Sequence, residues 1–147
     1  IPNVINENFR TGENIIYDSE VENDLRDVLG SGVVDIKATL GEETDEMYRE
    51  NGMDIYTFGM ITVAVNQEEV IQDILIDYTV GENKKEYGIY GIAGISDADA
   101  VKTILGTPDQ EYEKELCYRF DREFGLGLNI NFSDDGMVEQ LEYYYVQ

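Results

Sequence analysis

The sequence contains no histidine and no tryptophan, and it has one cysteine and two prolines among 147 residues. The lack of histidine excludes Ser-His-Asp and Cys-His catalytic arrangements and zinc sites with histidine ligands. A lone cysteine, Cys117, excludes an internal disulfide. It lies in the strand-like string ELCYRF, which favours a structural thiol over a nucleophile. No apolar run approaches the roughly 20 residues that span a bilayer, so we expect no membrane insertion by this chain.

Basic residues are also scarce: 10 of them oppose 32 acidic residues, which gives a formal net charge of −22. Such a surface repels phosphate backbones and anionic membrane surfaces, so we expect no nucleic-acid partner. A solvated acidic surface is the simplest interpretation. A cationic partner, divalent ions and a salt-adapted source are the alternatives.

The acidic strings do not predict a metal or cofactor site. DSEVENDLRD and NFSDDG cluster oxygen ligands, but neither has the spacing of an EF-hand loop. The second string is more simply a hairpin turn. Carboxylate pairs could support glycoside hydrolysis, but among so many acids some pair will be close by chance. We therefore predict no catalytic residue, no metal site and no cofactor.

Two similar strings predict helices. GISDADAVKTILGTP, residues 94 to 108, reads as a short helix that Ser96 can cap and that Gly106 and Pro108 end. A similar string, GSGVVDIKATLGEE, begins at residue 30. The spacing predicts equivalent helices over 31–40 and 96–105. Leu40 and Leu105 should be buried, because each closes the apolar stripe before a glycine.

Alternating strings predict strands after each helix. MDIYTF, MITVAVN and VIQDILIDY follow the first helix, while QEYEKELCYRF, LGLNINF and MVEQLEYYYV follow the second. Their period of two is typical of strands with one buried face. Turns are expected at Asn51-Gly52, at 67–69 and at 133–136. The run 79–86 is expected to connect the two copies.

The predicted fold class is therefore α+β. It consists of two tandem helix-plus-antiparallel-meander repeats, with the helices packed on one face of a curved sheet. Residues 1–80 form the first repeat with an N-terminal extension, and residues 81–147 form the second, the two making one structural unit.

The segments in front of the two predicted helices differ. SEVENDLRDVLG combines a capping box, Ser19 and Glu22, with an apolar stripe, which predicts an additional helix. The stripe is formed by Val21, Leu25, Val28 and Leu29. YGIYGIAGI is rich in glycine and apolar residues, and it is expected to be extended.

The residues of the second copy resemble a known structural repeat. The second copy combines a Gly-x-Ser helix start, a Leu-Gly-x-Pro helix stop and a DDGMV hairpin: Gly94, Ser96, Val101, Leu105, Gly106, Pro108 and residues 134–138. This pattern resembles the repeat of the β-lactamase-inhibitor-protein-like group, a unit that small lipoproteins of the outer-membrane assembly machinery share. The resemblance implies helices over one face of a curved sheet and an open face that grips a partner protein.

The chain also departs from that group. Glu42-Glu43 stands in the first copy where the second has Thr107-Pro108, and the known inhibitors use disulfides that this chain cannot form. No residue of an inhibitory site can be matched. Inhibition of β-lactamase is therefore not implied.

The aromatic residues point to a binding face. Tyr143, Tyr144 and Tyr145 place aromatic rings on both sides of a strand, and Tyr144 would face away from the helices. The same alternation places Leu75 on that face, near Asn129 and Asn131 of a neighbouring strand. Tyrosine is enriched in protein-binding surfaces. The alternative is that the tyrosines are good strand formers that shield the sheet.

The predicted function is a non-enzymatic, exported or cell-surface binding module that engages a protein partner through this face. The alternative is a structural or scaffold domain of a cell-envelope lipoprotein that binds cations. The chain starts at Ile1-Pro2 without methionine, which favours a removed upstream segment, such as a signal peptide or lipoprotein leader. We therefore expect an extracellular or surface location, with a lipid anchor supplied by that segment as one route.

Overall fold

The computed structural model describes residues 20–120 and 125–146, most of whose regular structure is β-strand. The strands are β1 Asn23–Asp24, β2 Tyr48–Glu50, β3 Met53–Phe58, β4 Ile61–Val65, β5 Ile71–Asp77, β6 Tyr87–Gly88, β7 Gln110–Tyr112, β8 Glu115–Phe120, β9 Leu126–Phe132 and β10 Val138–Tyr145. The helices are α1 Val33–Leu40 and α2 Ala98–Leu105. Neither helix in this part of the chain has the length and apolar character needed to cross a membrane.

Within the described residues, eight strands form a single antiparallel sheet in the order β2-β3-β4-β5-β10-β9-β8-β7, while β1 and β6 pair in parallel. The predicted α+β class of two tandem helix-plus-meander repeats is therefore wrong. The described structure is mostly β, and its helices have only eight residues each. The physical reason is that the ladder between β5 and β10, where Ile76 pairs with Leu141, joins the strands of both halves into one continuous sheet, beside which the two short helices are a minor part.

One face of the sheet carries the core. The predicted alternation is confirmed there: Ile61, Val63 and Val65 are at most 1% exposed, and Leu141 and Tyr143 are buried on β10. Val33 and Ile36 of α1 and Val101 and Leu105 of α2 belong to the same cluster. Fully burying an aliphatic side chain contributes about 1.5–3 kcal/mol.

The helices begin and end close to their predicted bounds, with one wrong cap. The N-cap of α2 is Asp97, whose carboxylate accepts a hydrogen bond from the Ala100 amide, whereas the Ser96 hydroxyl accepts from the Ala93 amide. Leu105 is fully buried as predicted. Leu40 is only partly buried against the core, so the prediction holds for it in part.

The predicted turns lie between the strands. Asn51 and Gly52 both have positive φ, 52° and 79°, between β2 and β3. A hairpin turn of this hand matches the twist of the flanking strands, which explains the Asn-Gly pair. The 133–136 turn is closed by the Gly136 amide, which donates to the Ser133 carbonyl at 3.0 Å.

The helix predicted from SEVENDLRDVLG is absent from the described residues. Ser19 lies outside them, and the chain forms β1 followed by a turn over 26–30. The amides of Asn23 and Leu25 donate to the carbonyls of Glu86 and Gly88 at 3.0 and 2.8 Å. These long-range bonds replace the helical ones, while Leu25 still packs into the core. The YGIYGIAGI segment is extended at β6, as predicted, and then turns sharply.

Candidate functional site

The sheet face opposite the core, called the open face below, is formed by the residues that alternate with core residues. On β5, Ile74 and Ile76 are fully buried, whereas Asp73, Leu75 and Asp77 are partly exposed. Paired residues of neighbouring antiparallel strands point to the same side of a sheet, so register extends this face across the neighbouring strands. The open face therefore presents side chains that the core does not require.

All four residues that the sequence predicted for partner binding lie on this face. Leu75 pairs with Glu142, and Glu142 pairs with Asn129 on its other side. Tyr144 lies two residues farther along β10, and its hydroxyl donates to the Asn129 side-chain oxygen at 3.2 Å. Asn131 pairs with Gln140 and Glu115, one row away. The structure thus brings Leu75, Asn129 and Tyr144 together around Glu142, with Asn131 beside them.

Arg119 and Gly127 complete this cluster and were missed from the sequence. The guanidinium carbon of Arg119 lies 5.4 Å from the centre of the Tyr144 ring, a cation–π arrangement. A Cβ atom on Gly127 would lie 2.8 Å from both Arg119 Nη1 and Tyr144 Cζ. Gly127 therefore makes room for both side chains over the backbone of β9. The glycine within LGLNINF was the available signal, because glycine inside a strand often marks such an approach.

A carboxyl pair lies beside the cluster. Asp73 and Glu142, on β5 and β10, are diagonal neighbours across the central ladder, with their side chains in hydrogen-bonding contact. Burial and then the Glu142 carboxyl raise the pKa of Asp73 to about 8. Asp73 therefore holds its proton at neutral pH. Sequence could not single them out among 32 acidic residues, because the pairing depends on the register of distant strands.

The remaining charges on this face are mostly acidic. Asp77 and Glu115 lie on the row that also contains Asn131, and Arg119 supplies a positive charge. Cys117 pairs with Asn129 and is 7% exposed; burial and the Glu115 carboxylate raise the pKa of its thiol. A buried, protonated thiol is a poor nucleophile. The face therefore offers hydrogen-bonding groups, carboxyls and a few apolar side chains.

The carboxyl pair and the cavity of the described structure lie in different places. Catalytic centres are usually concave, whereas the Asp73–Glu142 pair lies on a sheet surface. A cavity of about 530 Å³ lies elsewhere, and Tyr78, Lys84, Ile95 and Met137 are among its lining residues. Within residues 20–120 and 125–146, no group of three or more cysteine, aspartate or glutamate side chains is arranged to hold a metal ion.

No known family model matches the chain, and no curated protein does. An extracellular protein containing a SCP domain from Bacillus anthracis has a similar structure, with a TM-score of 0.55 and 10% identity over 90% of this chain and 49% of that one. A cysteine-rich secretory protein from Staphylococcus aureus has a TM-score of 0.50 and 11% identity, over 88% of this chain and 51% of that one. A DUF4309 family protein from Bacillus subtilis has a TM-score of 0.49 and 16% identity, over 79% of each chain.

The chain spans about half the length of the B. anthracis and S. aureus proteins. At such low identities these two likenesses show the fold alone. The resemblance to the β-lactamase-inhibitor-protein-like group stays a prediction of the sequence, since these similar structures bear on it neither way.

Proposed function

We propose that this chain is a non-enzymatic binding module that engages a protein partner through its open face. The observation that carries the proposal is the grouping of Leu75, Asn129 and Tyr144 on a sheet face that the core does not use. Tyrosine combines a rigid apolar ring with a hydrogen-bonding hydroxyl, which is why it is frequent at interface hot spots.

The arrangement of Tyr144 supports this role. Its ring lies over Gly127 beside the Arg119 guanidinium, and its hydroxyl donates to Asn129, so its conformation is fixed before a partner arrives. A side chain that is already ordered loses little conformational entropy on binding. Tyr144 would therefore contribute more to affinity than an unconstrained surface tyrosine.

We also propose that the module is exported. The similar structures from B. anthracis and S. aureus are of an extracellular and a secretory protein, which supports this location. A lipid anchor on an upstream segment is the finer form of the proposal. Mass spectrometry of the native protein from envelope and secreted fractions would test both points.

The binding role is tested by using the chain as bait on envelope and secreted fractions of its source organism. The captured protein is identified and purified, and its affinity for the chain and its variants is measured by calorimetry. Truncating a buried anchor typically costs about 2 kcal/mol, or roughly thirtyfold in affinity. We expect Tyr144→Ala and Leu75→Ala to weaken binding on this scale.

Val34→Ala is the matched control, because Val34 is 70% exposed on α1, away from the open face. It should leave affinity unchanged, and thermal unfolding should verify that all three variants fold. Equal affinities for the Tyr144→Ala variant, the Leu75→Ala variant and the unaltered chain would refute the open face as the binding surface. Turnover of a substrate by the purified chain would refute the non-enzymatic role.

A further inference from the structure

We infer that the partner presents a lysine or arginine side chain to Asp73 and Glu142, so that the open face is a docking surface for a basic protein segment. This inference rests on the proposed function and specifies the chemistry of its partner. It is carried by the position of the two carboxyls, by their lack of a basic partner in the described residues and by the charge of the face around them.

The pair lies at the centre of the proposed docking surface. Asp73 pairs directly with Tyr144, and Glu142 pairs directly with Leu75, so the two anchors and the two carboxyls occupy adjoining positions on β5 and β10. The long aliphatic part of a lysine or arginine could pack on Leu75 and Tyr144 while its charged end reaches the carboxyls. One basic side chain would thus use both the apolar and the acidic parts of the face.

The fold supplies no cation to this pair among residues 20–120 and 125–146. The ion pairs there involve other carboxylates: Lys37–Glu43, Arg49–Asp54, Lys102–Glu111 and Lys114–Asp134. Arg119, the basic residue on the same face, stacks on the Tyr144 ring instead. Two partly buried carboxyls in contact, without a counter-charge, cost folding free energy. A basic side chain from outside would remove that cost.

Charge complementarity decides between the occupants. A second copy of the chain would bring another net charge of −22 and the same acidic residues against this face. Anionic surfaces are disfavoured for the same reason. A basic segment is attracted by the surface as a whole and finds Asp73, Asp77, Glu115 and Glu142 where it docks.

The inference predicts that binding releases a proton. Burial and Glu142 raise the pKa of Asp73 to about 8, and a bound cation would lower it. The groups that face Asp73 are Ala64 and, diagonally, Thr62 from β4, and Tyr144 and Glu142 from β10. Arg119 lies beyond Tyr144, against its ring. Only Glu142 is an acid among these neighbours. Affinity for a basic segment should therefore rise between pH 6 and pH 8.5. Lysine stays charged over this range, because pH 8.5 is still about two units below its pKa.

The experiment uses a decalysine peptide as the probe, titrated into the ¹⁵N-labelled chain, with decaglutamate as the charge-reversed control. Asp73→Asn/Glu142→Gln removes both carboxyls of the pair with little change in shape. Glu68→Gln/Glu82→Gln is the matched control, because both residues are exposed in turns and it also removes two carboxyls. Thermal unfolding verifies that both double variants fold.

At pH 8.5 we expect the amide resonances of β5, β9 and β10 to shift with decalysine. The Asp73→Asn/Glu142→Gln variant should bind decalysine roughly tenfold more weakly, and its affinity should no longer rise with pH. The control variant should lose less than about twofold in affinity. Equal losses in the two variants, or shifts spread over the whole surface, would overturn the inference. So would a calcium titration that reproduces the same shifts, or dimerisation in sedimentation experiments.

The identified protein partner separates this inference from the proposed function. If Tyr144→Ala weakens that partner's binding while Asp73→Asn/Glu142→Gln leaves it unchanged, the docking face stands and the basic-segment inference fails. If neither variant has an effect, both fail.

Discussion

The hydroxyl of Tyr118 on β8 donates a 2.7 Å hydrogen bond to the carbonyl of Gly106, the residue that ends α2. Tyr118 is 1% exposed, and this bond ties the C-terminus of the helix to the sheet. The ring fills the core while its hydroxyl satisfies a carbonyl that the helix leaves without an internal partner.

Tyr118→Phe should destabilise the fold, because it leaves that buried carbonyl without its donor. The expected cost is about 1–2 kcal/mol in the free energy of unfolding, measured by urea denaturation. Tyr112→Phe is the control, since Tyr112 is 56% exposed and its hydroxyl contacts Gln110 at the sheet edge. A cost for Tyr112→Phe equal to that for Tyr118→Phe would mean that the Gly106 bond contributes nothing.

Leu105→Ala and Leu40→Ala should lower the free energy of unfolding by different amounts, although the sequence places both residues at equivalent helix ends. Leu105 is fully buried, so its truncation should cost about 2–5 kcal/mol in the free energy of unfolding. Leu40 only borders the core, so its truncation should cost less. The midpoint and slope of urea unfolding measure both values. A larger loss for Leu40→Ala than for Leu105→Ala would contradict the burial described here.

Stability should fall as pH rises through the range in which Asp73 ionises. Its pKa is raised from 3.8 to about 8 in the folded state, so the folded chain holds this proton more tightly than the unfolded chain does. The resulting stabilisation is complete below pH 3.8 and is lost as pH approaches 8. Asp73→Asn removes the titration and should therefore gain stability relative to the unaltered chain between pH 5 and pH 8.5.

Glu68→Gln is the control for that measurement, because it removes an exposed carboxylate from a turn. Denaturation at both pH values gives the change in unfolding free energy for each variant. A pH dependence of Asp73→Asn that matches that of the unaltered chain would show that Asp73 titrates normally.

Local signals in the sequence predicted much of the local structure. Asn51-Gly52 specifies its own turn through backbone conformation, and period-two patterns identify which side of β5 and β10 is buried. The order of the strands in the sheet was not predictable in this way, because it depends on β5 pairing with β10, which are far apart in sequence. The same distance explains why Leu75 and Tyr144 could be assigned to a face while the contact between Asp73 and Glu142 could not.

The failed helix before α1 has a related cause. The pattern around Leu25 satisfies a helical stripe, but the Asn23 and Leu25 amides find acceptors near β6. A hydrophobic stripe indicates which residues are buried, and here Leu25 is buried in a turn-rich segment instead. Tertiary hydrogen bonding decided the backbone conformation where local propensity was weak.

Replacing Gly88 and Gly127 by alanine should affect stability to different extents. A Cβ atom on Gly88 would lie 2.4 Å from the Ile92 carbonyl oxygen, which is backbone and cannot move alone, so Gly88→Ala should cost about 1–3 kcal/mol or more. At Gly127 the new Cβ would meet the outer atoms of Arg119 and Tyr144, which can rotate away. Gly127→Ala should therefore cost less than about 1 kcal/mol while it displaces the Tyr144 ring from the sheet.

The readout for Gly127→Ala is the proton resonances of the Tyr144 ring together with the urea midpoint. We expect the ring resonances to shift and the hydrogen bond from Tyr144 to Asn129 to weaken, with the fold intact. Because Tyr144 would lose its fixed conformation, this variant should also bind decalysine and the protein partner more weakly than the unaltered chain does. If Gly127→Ala unfolds the protein as strongly as Gly88→Ala does, the side chains over β9 are held rigidly, and Gly127 is required for the fold itself.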